Sequence, residues 1–469
     1  MAYNLNDFFQ LGMDSEATPQ NQLVMNTIRN PVNVQSGRNG LSKVTFKIPK
    51  VGLLTGDSMI SLQFKQAAGT SSNVTPNFIN GALGCVERCV IKIDNKTLTD
   101  LERPSLLEVP KFYSRSTQNE VAQFQYKFLG NQFQSTCDKD TGEEEFDIKK
   151  TRYVSAEDET SDAQNVVRYR VNGQDDSHVY GLHLKNLGAQ FLENDSLPVF
   201  LLGAREMVLE LFFYTDCREY LVPTQGALAA GDIEIDYPNV ELVTTHIQLP
   251  DEVQANELAA LQSQPISYPL LDNYLVKGTI QTGAQDVQTQ NTYRINAQNR
   301  ELHKMLIAHG DISTNISSNN RVVGNQKAYS LGDVDLQIKT NGLNLFERPI
   351  NNQSIIYQMT TYAQNGMALK LPYGAFQVNN RTGQIPQSTQ KLYEEYRGSQ
   401  QYLAVDFGNG NGGVYGGGTV QKQAMEVEYK VTPRVTTNPD QVNRQYTTNF
   451  YLTVSKMLTI GARSVEISF

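Results

Sequence analysis

Apolar and polar residues alternate with a period of two through almost the whole chain. Val44, Phe46 and Ile48 alternate with Thr45 and Lys47, and Ile60, Leu62 and Phe64 with Ser61 and Gln63. The habit returns at Phe124, Tyr126 and Phe128, at Met207, Leu209, Leu211 and Phe213, at Met425, Val427, Tyr429 and Val431, and at Phe450, Leu452 and Val454. Successive side chains of a strand point to opposite faces, so this period predicts sheets with one buried and one wet face. Clusters of Gly, Asn, Asp and Pro separate the strands at short intervals, and no rhythm of long helices intervenes, which predicts all-β sandwiches and not an α/β fold. A single core stops growing at roughly 250 to 300 residues. At 469 residues the chain therefore calls for more than one sandwich.

One segment breaks the pattern. PDEVQANELAALQSQP reads as a helix, with Pro250 and Asp251 at its start, Leu258 and Leu261 three apart on one face, and Pro265 as its stop. Its central position predicts a first sandwich over 31–249, a connecting helix over 250–264 and a second sandwich over 265–469. Residues 1–30, with Phe8, Phe9 and Leu11 among polar neighbours, read either as an arm that orders on assembly or as a plain disordered tail.

An internal match supports two related halves. VIKIDNKTLTDLERP (90–104) lies without a gap on DLQIKTNGLNLFERP (335–349) at an offset of 245. Ile93 meets Ile338, Leu98 meets Leu343, and Glu102-Arg103-Pro104 meets Glu347-Arg348-Pro349. Each copy reads as a strand, a turn at Asp94-Asn95 or Asn341-Gly342, and a second short apolar pair. Leu98 and Leu343 are accordingly expected at equivalent buried positions. Two long polar stretches, 134–176 and 407–418, read either as loops that carry recognition or assembly contacts or as merely solvated excursions.

Composition narrows the function classes. The content of 39% hydrophobic and 19% charged residues is that of a globular protein. The longest apolar stretch, 197–213, contains Arg205, Glu206 and Glu210, so no membrane span is expected. The opening MAYNLNDFFQLGMD lacks the basic and apolar regions of a secretory signal, which predicts synthesis in a reducing cytosol and free thiols for the four cysteines. A net charge of -9 opposes wrapping of nucleic acid by the whole surface, and no specific nucleic-acid site is expected.

Catalytic, cofactor and metal motifs fail on context, and the expectation is none of each. Gly408, Gly410 and Gly413 spell GxGxxG, and Asp406-Phe407-Gly408 spells a kinase metal triplet. More glycine and then a strand follow, where a dinucleotide loop must open a helix. Asp138, Asp140 and Gly142 mimic a calcium loop, but its glycine belongs at the sixth position and here stands at the fifth. Cys85 and Cys89 are four apart with no second pair, which does not match zinc-knuckle spacing. His178, His183, His246, His303 and His309 show no HxxxH spacing, and no GxSxG elbow is present. The sequons at Asn73 and Asn315 are expected to stay bare.

Three regions resemble the double-jelly-roll major capsid proteins of eukaryotic DNA viruses, especially polinton-like viruses and virophages. They are the strand, polar turn and apolar pair of 90–101, the segment LPVFLLGAREMVLELFF (197–213), and VELVTTHIQLPDEVQANELAALQSQPISYPLLDNYLVKG (240–278). The last is similar to the end of the first roll, the linking helix and the entry to the second, and NRELHKMLIAHGD (299–311) fits the strand that follows. The absence of tryptophan departs from the family pattern. The resemblance implies two tandem jelly rolls and a homotrimer acting as a pseudo-hexagonal capsomer of an icosahedral shell around double-stranded DNA. It also implies neighbouring capsomers, a single-jelly-roll penton and minor or cement proteins as partners, and the virion as the location. The residues alone also fit a tandem β-sandwich fibre or carbohydrate-binding protein, and more weakly a β-sandwich glycosidase.

Overall fold

The computed structural model describes residues 23–36, 42–66, 75–78, 82–108, 135–137, 144–146, 180–192, 196–225, 229–296, 301–311, 331–340, 342–351, 402–407, 419–420, 424–433 and 442–468. These residues build two β-sandwiches. In one sheet of the first, β1 (Leu23–Arg29) pairs with β17 (Glu241–Gln248), which pairs with β5 (Met59–Leu62) and β4 (Leu53–Leu54). Then β5 pairs with β12 (Tyr180–His183) and β4 with β13 (Leu197–Pro198). The facing sheet runs β2 (Asn33–Gln35), β3 (Ser42–Lys47), β14 (Met207–Phe213), β8 (Val86–Ile93), β9 (Lys96–Glu102). Short pairs complete this half: β6 (Phe64–Gln66) with β16 (Ile233–Ile235), β7 (Thr75–Phe78) with β15 (Leu221–Gln225), and β10 (Ser135–Cys137) with β11 (Glu144–Phe146).

The second sandwich has one sheet in the order β18 (Ile266–Gln281), β27 (Gln445–Ile460), β20 (Glu301–Asp311), β24 (Tyr402–Asp406). Here β25 (Thr419–Val420) lies on β20 and β28 (Val465–Ser468) on β27. Its facing sheet runs β19 (Thr289–Ile295), β26 (Met425–Thr432), β21 (Asp333–Thr340), β22 (Leu343–Asn344), with β23 (Ile350–Asn351) on β21. The two halves share one topology. The order β1-β17-β5-β12 corresponds to β18-β27-β20-β24, and β3-β14-β8-β9 to β19-β26-β21-β22. In each half the first principal strand pairs with the last and the second with the next to last, which is the nested winding of a jelly roll.

The internal match falls on the same hairpin of both rolls, β8–β9 and β21–β22. Asp94 and Asn95 both have positive φ, 50° and 64°, as a two-residue type I′ turn requires, and Gly342 (φ 80°) serves the second turn. The equivalence of Leu98 and Leu343 does not hold. Leu98 is buried, whereas Leu343 is 74% exposed. Leu98 is the third residue after its turn, and the third after the other turn is Leu345, which packs against the second core. The gapless alignment is two residues out of register with the turns, an error that preserves alternation and so leaves no trace in the apolar pattern.

The helix α1 (Asp251–Ser263) links the rolls, with Asp251 and Glu252 at its positive N-terminus. Only Leu261 is buried, and Leu258 is 40% exposed. At the other end of the first roll, β1 takes residues of the expected 1–30 arm into the sheet. Residues 1–22, with Phe8, Phe9 and Leu11, lie outside the described residues.

The cores do not divide where the chain does. The first contains Phe46, Ile91, Leu98, Leu209 and Leu211, but also Ile266, Tyr268 and Leu270 of β18 and Leu458 and Ile460 of β27. The other ends of those two strands supply Ile280, Tyr446, Phe450 and Leu452 to the second core. Two 16-residue strands, paired from Ile266↔Ile460 to Gln281↔Gln445, therefore wall both sandwiches at once.

Candidate functional site

Among the described residues, those singled out for catalysis or metal binding do not converge. Gly408, Gly410 and Gly413, like Asp138, Asp140, Gly142, His178, Asn73 and Asn315, lie outside the described residues. Cys85 and Cys89 are buried in the first core, and burial pushes both thiols far above their ordinary range. Cys217 is raised to about 12 by burial, and its thiol lies 3.1 Å from the carbonyl of Ala229. His309 lies inside the second roll between Tyr429 Oη (2.8 Å) and Thr448 Oγ1 (3.2 Å), and burial holds it down at about 3. His303 meets Ser455 Oγ at 2.6 Å, and His246 meets Thr244 Oγ1 at 2.9 Å. Burial lowers His246 as well. His183 is buried on β12 of the first roll, apart from these. Among the described residues no three His, Cys, Asp or Glu side chains are grouped to hold a metal. No helix among them is long and apolar enough to cross a membrane.

The built polar site is the junction between the rolls. Asp272 of β18 and Lys456 of β27 form an ion pair at 2.5 Å, with side chains 6% and 8% exposed. Thr99 of β9 donates to Asp272 Oδ1 at 2.5 Å, and Lys456 Nζ donates to the carbonyl of Leu98 at 2.9 Å. Both charges of the second roll thus close on the same strand of the first. Burial raises the Asp272 carboxyl, opposed by the charge and hydrogen bond of Lys456 and by Thr99. Around this pair, Lys96 Nζ donates to the carbonyl of Val465 at 2.5 Å and Arg205 Nη2 to that of Gly461 at 2.9 Å. Tyr451 Oη donates to the carbonyl of Arg103 at 3.2 Å, and Lys277 pairs with Glu102. Gly188 supports β9 from behind: its φ is +104°, and a Cβ there would lie 2.9 Å from that of Leu101.

Two charged residues inside otherwise apolar strands, Lys456 in FYLTVSKMLTI and Asp272 in YPLLDNYLV, were the signal that sequence reasoning passed over. A lone charge in a buried strand needs a partner, and these two supply one another.

The outer sheet faces carry a second polar pattern. In the first roll Glu210 of β14 lies between Lys43 of β3 (2.5 Å) and Lys92 of β8 (2.7 Å). Burial raises the Glu210 carboxyl, but the two ammonium groups outweigh it and hold it below its ordinary value. In the second roll Glu426 of β26 pairs with Arg294 of β19 at 3.0 Å, and Glu428 with Lys339 of β21. The strand next to last in each roll therefore carries acids, flanked by bases on its neighbours.

These features define a class by fold: a double jelly roll whose two sandwiches are joined through shared strands and a buried polar junction. No family model matches the chain, and no curated protein matches it. Solved structures do share the fold over nearly the full length. PBCV-1 VP54, as fitted into a cryo-EM reconstruction of the virophage Sputnik, is 12% identical with a TM-score of 0.58, covering 96% of this chain and 97% of that one. The Faustovirus major capsid protein is 9% identical with a TM-score of 0.58, covering 98% and 94%. The mavirus major capsid protein is 11% identical with a TM-score of 0.51, covering 96% and 90%. The likeness at these identities is one of fold.

Proposed function

We propose that this protein is the major capsid subunit of a double-stranded DNA virus, with a structural and not a catalytic role. The observation that carries this reading is the pair of equivalent jelly rolls locked by the Asp272–Lys456–Thr99 junction. Three copies present six similar sandwiches, so a threefold assembly acquires a nearly sixfold outline and can tile a shell. The end-to-end likeness to capsid proteins supports it. Such a trimer has the wrong symmetry for a five-fold vertex, so the proposal includes a separate penton protein, with minor proteins cementing the capsomers. Lateral contacts between capsomers would be polar, individually weak and numerous, given the Asn- and Gln-rich composition. The chain would be made in the host cytosol and reside in the virion shell.

Electron microscopy of the purified protein tests this. The expected particle is a pseudo-hexagonal trimer of about 157 kDa, three chains of 52.4 kDa. A monodisperse monomer at micromolar concentration refutes the capsid reading, and complete closed shells from this chain alone refute the need for a vertex protein.

A further inference from the structure

Strand β1 is held to the first roll by little besides its backbone ladder. Among the described residues none of β1 belongs to the first core, and no strand lies on its far side. Val24 and Ile28, at 61% and 63% exposure, face outward. Two side-chain bonds among the described residues reach β1 from β17. On the outer side Thr245 Oγ1 donates to Asn26 Oδ1 at 3.0 Å, and on the inner side the hydroxyls of Thr27 and Thr244 meet at 2.5 Å. A strand so placed can open without disturbing the core, which is the condition for a local unfolding unit.

The inner bond continues to a histidine. Thr244 Oγ1 is shared with His246 Nε2 at 2.9 Å, and both residues are fully buried. Across the ladder Thr27 stands opposite Thr244 and Met25 opposite His246, so β1 covers this relay. A neutral imidazole offers one donor and one acceptor, whereas an imidazolium donates from both nitrogens. Nδ1 has no hydrogen-bond partner, and the carbonyl of Val51 offsets burial only in part, so the ring is held below its ordinary value. Among the described residues no charged side chain steadies a cation there. His246 meets Met25 of β1 and Leu54 of β4 across its two ladders, and β13 beyond β4 supplies Leu197 and Pro198. Arg29 of β1 and Glu241 of β17 sit at the far end of the ladder, and Asp57 of the β4–β5 turn and Asp251 of α1 are exposed. Lys50 is bound to the carbonyl of Gly203, and the facing sheet turns Lys43 and Lys47 outward onto Glu210 and Glu206.

We propose that β1 is an acid-released latch whose trigger is His246. The latch goes beyond the capsid reading and does not depend on it. With β1 closed, a proton on His246 puts a second N–H into a dry site that lacks a matching acceptor, which costs the full desolvation of that group. With β1 open, water reaches the ring at the edge of β17 and its ordinary value of about 6.5 returns. The open state therefore binds the proton that the closed state refuses. Closure is fully stable above about pH 6.5 and weakens as pH falls toward the depressed value of the closed state. Release detaches residues 23–29 and uncovers the edge of β17 while both cores stay folded.

Amide hydrogen exchange of the full-length protein, read by mass spectrometry at about pH 7.5 and about pH 5.5, tests this, each rate being divided by the intrinsic rate at that pH. Opening of β1 should rise about tenfold between the two, the change expected when one group of ordinary value about 6.5 titrates only in the open state. Strand β27 should stay protected. His246→Gln should remove the dependence of β1 on pH, and His309→Gln in the second core should leave it. Should His246→Gln not fold, exchange of the ring C2 hydrogen of His246 in wild type reads its titration directly. A midpoint below about 6.5 is expected, and one at about 6.5 or above overturns the latch. Equal protection of β1 at both pH values overturns it, as does an unchanged acid response in folded His246→Gln. Opening of β1 and β27 together is unfolding of the whole chain and also overturns it. None of these failures touches the capsid reading.

Discussion

Replacing Lys456 with methionine removes one half of the junction pair and leaves the other half buried. Both side chains are under a tenth exposed, so the loss belongs to the regime of buried pairs, about 3 to 5 kcal/mol, and not that of surface pairs, about 0 to 1 kcal/mol. Lys456→Met keeps the volume of the aliphatic stem and isolates the charge. The double variant Asp272→Leu/Lys456→Met should recover most of the loss, because two apolar groups of similar size remove the desolvation cost together with the attraction. Urea unfolding followed by circular dichroism reads both. The pH dependence supplies a second check. Burial raises the Asp272 carboxyl in the folded protein, and without Lys456 nothing of opposite charge restrains it. A folded pKa above the unfolded value, about 3.9, means that the folded state binds the extra proton. The defect of Lys456→Met is therefore full at neutral pH and shrinks as pH falls through the raised folded value. A single variant within about 1 kcal/mol of wild type, with no recovery in acid, would show that water reaches the pair and that the junction is held by its apolar contacts alone.

Other outcomes follow from the same geometry. Leu98→Asp should abolish soluble expression, since it places an unpaired carboxylate in the first core, whereas Leu343→Asp should stay within about 0.5 kcal/mol of wild type in urea unfolding. Removing the exposed Lys47–Glu206 pair by Lys47→Ala should cost no more than about 0.5 kcal/mol on the same assay. Gly188→Ala, which forces a Cβ against Leu101 at φ +104°, should lose about 1 to 3 kcal/mol. His309 is held at about 3 while an unfolded histidine titrates near 6.5, so its contribution is complete above the unfolded value and is lost as pH falls. Between those limits stability should drop by up to about 1.4 kcal/mol per pH unit, and His309→Gln should flatten that slope.

A junction of this kind suits a tile. Apolar contact between Leu98 and the ends of β18 and β27 favours burial in many orientations, because it is non-directional. The Asp272, Thr99 and Lys456 bonds tolerate only one. A buried pair is weak evidence for stability, but it penalises arrangements of the rolls that leave a charge unmatched.

The fold class was legible in the sequence because it depends on local periodicity. Val44 to Ile48, Met207 to Phe213 and Met425 to Val431 alternate at the strand period, and that period alone dictates which face is buried. The linking helix was marked by its prolines, and the turn at Asp94-Asn95 by residues that tolerate positive φ. What the sequence could not decide is anything set by distance along the chain. Alternation has a period of two, so a two-residue slip between the repeats is invisible to it, and Leu343 was matched to Leu98 where Leu345 belongs. The union of the two cores through β18 and β27 and the meeting of Asp272 with Lys456, 184 positions apart, arise only when sixteen residues of antiparallel ladder are zipped. The outward apolar face of β1 has the same origin. LVMNTIR carries apolar residues at both parities, and pairing with β17 selects which of them face water.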